Sequence, residues 1–168
     1  TSLAAMLDVE TVTRTSCCIL VDKEEIGSVG AHGMHSRFFE NAVADLYEKL
    51  GGFSELKLRR TLARSTLISS DVSAAYDPMF AEAFEKRSSA FFANGLTFNK
   101  FTGSRGKSGS NDANAEYLGE LRRVMDEAGV AYQFSELGRV DIGGGGTIAY
   151  IMANYGMEVI DRGVAVLN

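Results

Sequence analysis

The adjacent carboxylates Glu24 and Glu25 have the type and spacing that metal-assisted hydrolysis requires. They follow the apolar run Cys17–Val21, which predicts a buried strand over Ser16–Asp22. Sites in α/β sheets collect at the carboxyl ends of parallel strands. Neighbouring side chains on an extended segment point in opposite directions, so one carboxylate can bind a metal while the other takes a proton from water. The alternative is a solvated acidic turn, because charged residues are mostly exposed.

A third carboxylate, Asp71, follows another apolar run and lies in the segment Ser69-Ser70-Asp71-Val72. The run predicts a second strand over residues 66–72, which would end near this aspartate. Asp71 can therefore donate a metal ligand from a neighbouring strand, although a turn or a helix N-cap is the alternative interpretation. Asp77 precedes Pro78 and is better interpreted as a turn former.

Lys100 ends the strand predicted over Leu96–Phe101, where it can meet a carboxylate or a carbonyl of a substrate. The polar segment 102–111 that follows contains Gly106-Lys107-Ser108, which superficially resembles a phosphate-binding loop. That loop requires a glycine five positions before Gly106, and the sequence has Phe101 there. We therefore expect residues 102–111 to form a flexible surface loop.

A glycine loop (Asp141–Thr147) precedes the helix predicted over Ile148–Tyr155. A glycine-rich helix N-terminus can bind an anion or let a ligand lie against the backbone, so Gly145, Gly146 and Thr147 are candidate substrate contacts. The loop lacks the G-x-G-x-x-G spacing of a dinucleotide site. A phosphate or nucleotide binder is consequently a weak alternative.

Other metal-binding residue types give weaker signals. His32 and His35 lie in a glycine-containing segment without the H-E-x-x-H pattern, so we expect them to be surface residues. Cys17 and Cys18 are sequence neighbours, and we expect two free thiols rather than a disulfide or a zinc site.

The surrounding sequence alternates between strand and helix patterns. The remaining predicted strands are residues 130–134 and 159–167, and the remaining predicted helices are residues 2–9, 36–50, 79–92 and 112–129. This alternation predicts an α/β fold with a mixed or largely parallel sheet that is covered on both faces. Without a repeat or a linker, we expect one domain over residues 1–168.

Composition excludes several classes of protein. The formal net charge of -5 argues against a nucleic-acid binder, which would carry a basic face. No stretch approaches the roughly 18 to 20 apolar residues of a membrane span, and no signal peptide is visible. These features predict a cytoplasmic protein without nucleic-acid or membrane partners.

Successive segments of the chain resemble the aspartyl aminopeptidase and vacuolar aminopeptidase I family, and its bacterial members most closely. These segments are DKEEIGS, GMHSRFFEN, SSDVSAAYDP, FEKR, KFTGSRGKSGSNDANAE, GGGGTIA and NYGMEVIDRGVAVL. The resemblance implies a three-layer α/β/α zinc-peptidase catalytic domain. It also implies the removal of N-terminal residues from peptides with two zinc ions, and a homo-oligomer that is a dodecamer in the full-length family.

The resemblance assigns roles to four residues. It implies that Glu24 is the general base, that Glu25 and Asp71 bind one zinc ion each, and that Lys100 contacts substrate. Acid-preferring members have a histidine where this sequence has Ala74. We therefore expect a broader preference that includes neutral N-terminal residues.

Parts of the family pattern are absent from this sequence. The Asp-Asp-Arg motif with the bridging aspartate would precede Thr1, and the Met-His pair with the last zinc histidine would follow Asn168. The resemblance thus implies a truncated, incomplete C-terminal part of the catalytic domain, without the inserted dimerisation domain and inactive alone. The alternative is a non-catalytic assembly or scaffold relative that keeps the fold without a working metal site.

Overall fold

The computed structural model describes residues 1–104, 108–139 and 141–167. These residues group into two compact units, Thr1–Phe39 and Glu40–Asn168, and each unit is described by itself. The expectation of one domain over residues 1–168 stays a prediction. Among the described residues, no helix is long and apolar enough to cross a membrane.

The first unit contains little regular structure. Helix α1 spans Ser2–Leu7, and a 3₁₀ turn spans Glu24–Ile26. The strand predicted over Ser16–Asp22 is wrong, because this segment has neither helix nor strand geometry. An apolar run becomes a strand only where another strand supplies hydrogen-bond partners, and none of the described strands pairs with it. Leu20 in this run is 77% exposed.

Four further α-helices follow in the part of the chain that the structure describes. They are α2 (Phe38–Lys49), whose first two residues belong to the first unit, α3 (Glu55–Ala63), α4 (Ala115–Ala128) and α5 (Ala149–Ala153). The sequence predicted α2, α4 and α5, although α4 begins after Asn114 rather than at Asp112. The Asn114 side chain accepts a hydrogen bond from the backbone N–H of Glu116 at 2.8 Å, which fixes that start.

Within the described residues, six strands form a four-stranded sheet and a hairpin. The strands are β1 (Thr66–Ala74), β2 (Leu96–Asn99), β3 (Phe101–Ser104), β4 (Ser108–Asp112), β5 (Tyr132–Ser135) and β6 (Glu158–Val166). The sheet has the order β1-β6-β2-β5. The β1–β6 and β2–β5 pairs are parallel and the β2–β6 pair is antiparallel, which confirms the mixed, largely parallel sheet.

Two further expectations about secondary structure are wrong, a loop and a helix. Residues 102–104 and 108–111, expected to be loop, lie in the antiparallel pair β3–β4; residues 105–107 lie outside the described residues. The sequence did not indicate this pair, because its buried positions hold the polar residues Thr102 and Asn111 in place of apolar ones. The helix predicted over residues 79–92 is replaced by 3₁₀ turns at Pro78–Ala83 and Lys86–Ser88, since Phe80 has non-helical backbone angles.

Helices cover the two faces of the sheet. Ile160 and Phe98 pack with Leu118 of α4 on one face. The next residue along β6, Asp161, points to the other face and contacts Thr147, two residues before α5 begins. Helices α4 and α5 therefore lie on opposite faces, which confirms the three-layer α/β/α arrangement.

Candidate functional site

The first unit contains the paired carboxylates. Glu24 and Glu25 open the 3₁₀ turn Glu24–Ile26, so the extended geometry expected for them is wrong. Successive side chains of a 3₁₀ turn are separated by about 120° around its axis, so the two carboxylates still point in different directions. Glu24 is half-buried and Glu25 is exposed. The two side chains thus have different surroundings, as two different roles would require.

The backbone around this turn adopts uncommon angles. Lys23, directly before it, has φ 66°, and the buried Ser28, just after it, has φ 57°. Non-glycine residues in this left-handed region cost free energy and concentrate at functional sites. The Ser28 N–H donates to the Lys23 carbonyl at 2.7 Å, and the Ser28 carbonyl accepts from the His35 N–H at 3.1 Å. These bonds hold the turn that presents the carboxylates.

Charged neighbours of the turn are mutually paired. The Lys23 ammonium lies 3.1 Å from a carboxylate oxygen of Asp22, and the Lys23 backbone N–H donates to the same side chain at 2.8 Å. These hydrogen bonds lower the pKa of Asp22. His32 and His35 are both exposed, as expected.

Asp71 lies in the second unit, within β1 rather than at its end. Its partner in the parallel pairing is Gly163 of β6. A Cβ atom on Gly163 would lie 2.6 Å from the Asp71 carbonyl oxygen, so glycine permits the close approach of the two strands there. The Asp71 side chain is exposed and accepts a hydrogen bond from the backbone N–H of Val72 at 2.7 Å.

Lys100 follows β2 and is not near Asp71 in the sheet. Asp71 shares a row with Thr97, through Gly163, and Lys100 is three residues further along β2, or about 10 Å. The Lys100 ammonium forms an ion pair with Asp112 of β4. The expected contact between Lys100 and substrate stays a prediction.

The glycine loop lies against both the hairpin and the sheet. The Gly103 N–H of β3 donates to the Gly145 carbonyl at 2.9 Å. Gly144 has φ 108°, and a Cβ atom there would lie 2.2 Å from the Gly103 carbonyl oxygen, so this approach requires glycine. The Thr147 hydroxyl lies 3.2 Å from the Ser69 hydroxyl, on the strand face that also carries Asp71. The structure thus places the glycine loop and Asp71 on one face of β1.

Asp161 is a buried carboxyl group that the sequence analysis did not single out. It is 2% exposed, and its Oδ1 atom accepts a hydrogen bond from the Thr147 hydroxyl. Burial raises the pKa of Asp161 above its ordinary value, and the charge of Asp71 adds to this, while the hydroxyls of Ser69, Thr147 and Thr102 oppose it. The signal in the sequence was an aspartate directly after the apolar residues Val159 and Ile160, inside the strand predicted over residues 159–167.

The described residues do not assemble a metal site by themselves. Over residues 1–104, 108–139 and 141–167, no group of three or more His, Cys, Asp or Glu side chains is arranged to hold a metal ion. Glu25 and Asp71 have oxygen donors that suit zinc, but they belong to different units. Neither side chain lies with two further potential ligands from the described residues.

The whole chain matches one family of proteins. The model of the family described as aminopeptidase I zinc metalloprotease (M18) matches residues 1–168. A probable M18 family aminopeptidase 1 of Clostridium acetobutylicum is 59% identical over 168 residues, which are 100% of this chain and 36% of that relative. The chain therefore spans about a third of the length of the relatives that it matches.

Solved structures show the same similarity in three dimensions. Aminopeptidase I from Clostridium acetobutylicum superimposes with a TM-score of 0.84 at 58% identity, over 98% of this chain and 35% of that one. An M18 family aminopeptidase from Thermotoga maritima gives a TM-score of 0.81 at 39% identity, over 88% of this chain and 33% of that one.

Proposed function

The chain belongs to the M18 family of aminopeptidase I zinc metalloproteases, and we propose that its full-length protein removes N-terminal residues from peptides by zinc-dependent hydrolysis. The observation that carries this proposal is the family match over all 168 residues, together with the 59% identity to a family aminopeptidase. The mixed α/β sheet agrees with structures of that family. Residues 1–168 would be the C-terminal part of its catalytic domain.

Glu24 is proposed as the general base. The side chain is half-buried on a 3₁₀ turn with uncommon backbone angles on either side, as expected of a carboxylate held for a reaction. Its carboxylate would take a proton from the attacking water and pass it to the leaving amine. A carboxylate suits this task because it can accept a proton from a water molecule within hydrogen-bond reach.

Glu25 and Asp71 are proposed as zinc ligands, one for each of two ions. Zinc, when bound, polarises a peptide carbonyl and lowers the pKa of water. Carboxylate oxygens are ordinary zinc ligands, and the exposure of both side chains leaves them accessible to an ion. The described residues place neither carboxylate in a group of three potential metal ligands. The 168-residue chain alone is therefore proposed to be inactive.

The glycine loop and Lys100 are proposed to contact the substrate. Gly145, Gly146 and Thr147 follow one another on the face of β1 that carries Asp71, where a peptide could lie against their backbone. Lys100 would provide a positive charge to the substrate. Its ion pair with Asp112 is exposed, and this exposure leaves the ammonium accessible to a substrate. Ala74, at the end of β1, supports a preference that includes neutral N-terminal residues.

A homo-oligomer and a cytoplasmic location are also proposed. Family resemblance is the basis for a dodecamer of the full-length protein, and the acidic composition is the basis for the location. Sedimentation of the full-length protein measures its assembly state. Fractionation of cells measures its location.

Hydrolysis of amino-acid p-nitroanilides by the full-length protein tests the proposed function. We expect turnover of leucine p-nitroanilide that a chelator abolishes and added zinc restores, with kcat/KM for the aspartate anilide no higher. A strong preference for the aspartate anilide would contradict only the expected preference for neutral N-terminal residues, and not the aminopeptidase activity. Absence of turnover with every anilide, at full zinc occupancy, would contradict the proposed aminopeptidase activity.

A non-catalytic assembly relative is the second candidate. The observation that favours it is the absence of three converging metal ligands among the described residues. This candidate predicts an oligomer of full-length protein that binds less than one zinc ion per chain. Elemental analysis of the intact oligomer, beside the anilide assay, separates the two functions.

A further inference from the structure

Asp161 occupies the middle of the sheet, where a carboxyl group is costly. Its row contains Ser69 of β1 on one side and Asn99 of β2 on the other. All three side chains are buried, and Asn99 in turn accepts a hydrogen bond from Ser135 of β5 at 2.8 Å. A polar row thus crosses the entire sheet. Burial of a carboxyl group costs desolvation free energy that an apolar side chain would avoid. The role of Asp161 must therefore lie in the hydrogen bonds that its carboxyl group makes.

Outside the four-stranded sheet, Asp161 contacts Thr147 at the end of the glycine loop. Its Oδ1 atom accepts from the Thr147 hydroxyl, and the Thr147 oxygen accepts in turn from the backbone N–H of Ala149 at 3.1 Å. Ser69 lies 3.2 Å from the same hydroxyl. The Thr147 hydroxyl therefore joins the buried carboxyl group of Asp161, the Ser69 hydroxyl and the first backbone N–H of α5.

Backbone contacts also hold the glycine loop, since the Gly143 N–H donates to the Arg139 carbonyl at 2.7 Å. Gly145 is bound through its carbonyl to the Gly103 N–H of β3, at 2.9 Å. Glycines between Gly143 and Gly146 have no side chains to restrict their backbone, so such a segment keeps a defined path only if its ends are held. Thr147 is the first residue after them with a side chain, and Asp161 holds that side chain.

We infer that Asp161 is a positioning residue, whose carboxyl group holds Thr147 and thereby fixes the glycine loop in the place where it contacts substrate. The inference rests on the proposed function, because it needs the loop to be a substrate-binding element. Asp161 itself does not touch the substrate, since its side chain is 2% exposed and lies beneath Thr147.

Steady-state kinetics of the full-length protein with leucine p-nitroanilide and zinc tests this inference. We expect Asp161→Ala and Thr147→Val each to raise KM about tenfold, the effect of losing one charge-assisted hydrogen bond, with a smaller change in kcat. The double variant should be no worse than either single variant, because both remove the same contact. Asp161→Asn keeps an acceptor oxygen for Thr147 and should stay within about threefold of the wild-type KM.

Thr97→Val provides a matched control. Thr97 is also completely buried in the sheet, and its hydroxyl has no hydrogen-bond partner among the described residues. Its replacement should leave KM unchanged. An equal rise in KM for Thr97→Val would show a general effect of sheet substitutions and would overturn the inference.

Other outcomes are equally decisive. Wild-type KM in both Asp161→Ala and Thr147→Val overturns the inference, and so do additive effects in the double variant. If Asp161→Ala does not fold, Thr147→Val and Asp161→Asn decide, since the first must raise KM and the second must not. An inactive wild-type protein overturns the proposed function and this inference together, whereas an active wild type with unaffected variants overturns the inference alone.

Discussion

At the scale of single residues, Glu24 and Glu25 differ in their surroundings although they are neighbours in the sequence. Glu24 is half-buried and Glu25 is exposed, on a turn bounded by Lys23 and Ser28 with positive φ. The residue types could be identified from the sequence because carboxylates are the chemistry that metal hydrolysis needs. The turn could not be predicted, because its backbone angles are imposed by hydrogen bonds such as that between Ser28 and Lys23.

Replacement of Glu24 tests its proposed role most directly. We expect Glu24→Gln in the full-length protein to lower kcat for leucine p-nitroanilide by about 10²–10⁴, because an amide cannot accept the proton of water. Zinc content should not change, since Glu24 is proposed as a base and not as a ligand. Glu10→Gln, at an exposed glutamate of the first unit, is the control and should keep wild-type kcat. Wild-type kcat in Glu24→Gln would exclude the base role.

At the scale of secondary structure, β1, β6 and the helices α2, α4 and α5 were predicted, whereas α3 and the β3–β4 pair were not. Helix α4 and strand β6 followed from spacing and from Gly129 at the helix end. The β3–β4 pair was missed because Thr102 and Asn111, polar residues, occupy its buried positions. The strand expected before Glu24 was wrong because periodicity says nothing about which backbone a strand will pair with.

The N-cap of α4 provides a prediction at this scale. Asn114→Ala removes the acceptor for the Glu116 N–H, and we expect the first turn of α4 to lose about 1 kcal/mol of stability. Amide hydrogen exchange of the full-length protein should then accelerate in that turn by about fivefold. Asn114→Ser keeps a cap but loses the Asn114 contact with Glu158, so it should exchange nearly as slowly as the wild type. Equal acceleration in both variants would assign the effect to Glu158.

At the scale of the whole molecule, the layers were predictable but the polar row that crosses the sheet was not. Alternating patterns predict helices on both faces, which the positions of α4 and α5 confirm. The row of Ser69, Asp161 and Asn99 depends on the register between strands that are distant in the sequence. Register is set by packing of the complete sheet, so no local pattern reveals that these residues meet.

Stability of the full-length protein should depend on pH through Asp161. Burial raises its folded-state pKa above the value of 3.8 expected for the unfolded chain, so the folded protein holds this proton more tightly. The associated stability is complete below pH 3.8 and is lost as pH rises through the raised pKa. We therefore expect the Tm of the wild type, relative to Asp161→Asn, to fall as pH increases across this window. A Tm difference that stays constant with pH would show that Asp161 has the same pKa in the folded and unfolded states.

The outer strands of the sheet have a practical consequence for the isolated chain. Within the second unit, β1 pairs with β6 alone and β5 with β2 alone, so one backbone edge of each outer strand has no strand beside it among the described residues. Val72 of β1 is 55% exposed, and its partner on β6, Val164, is 60% exposed. Such edges invite strand addition between molecules, and aggregation follows when apolar residues flank them. Expression of the 168-residue chain on its own therefore calls for dilute solutions, or for a mutation to lysine along β1.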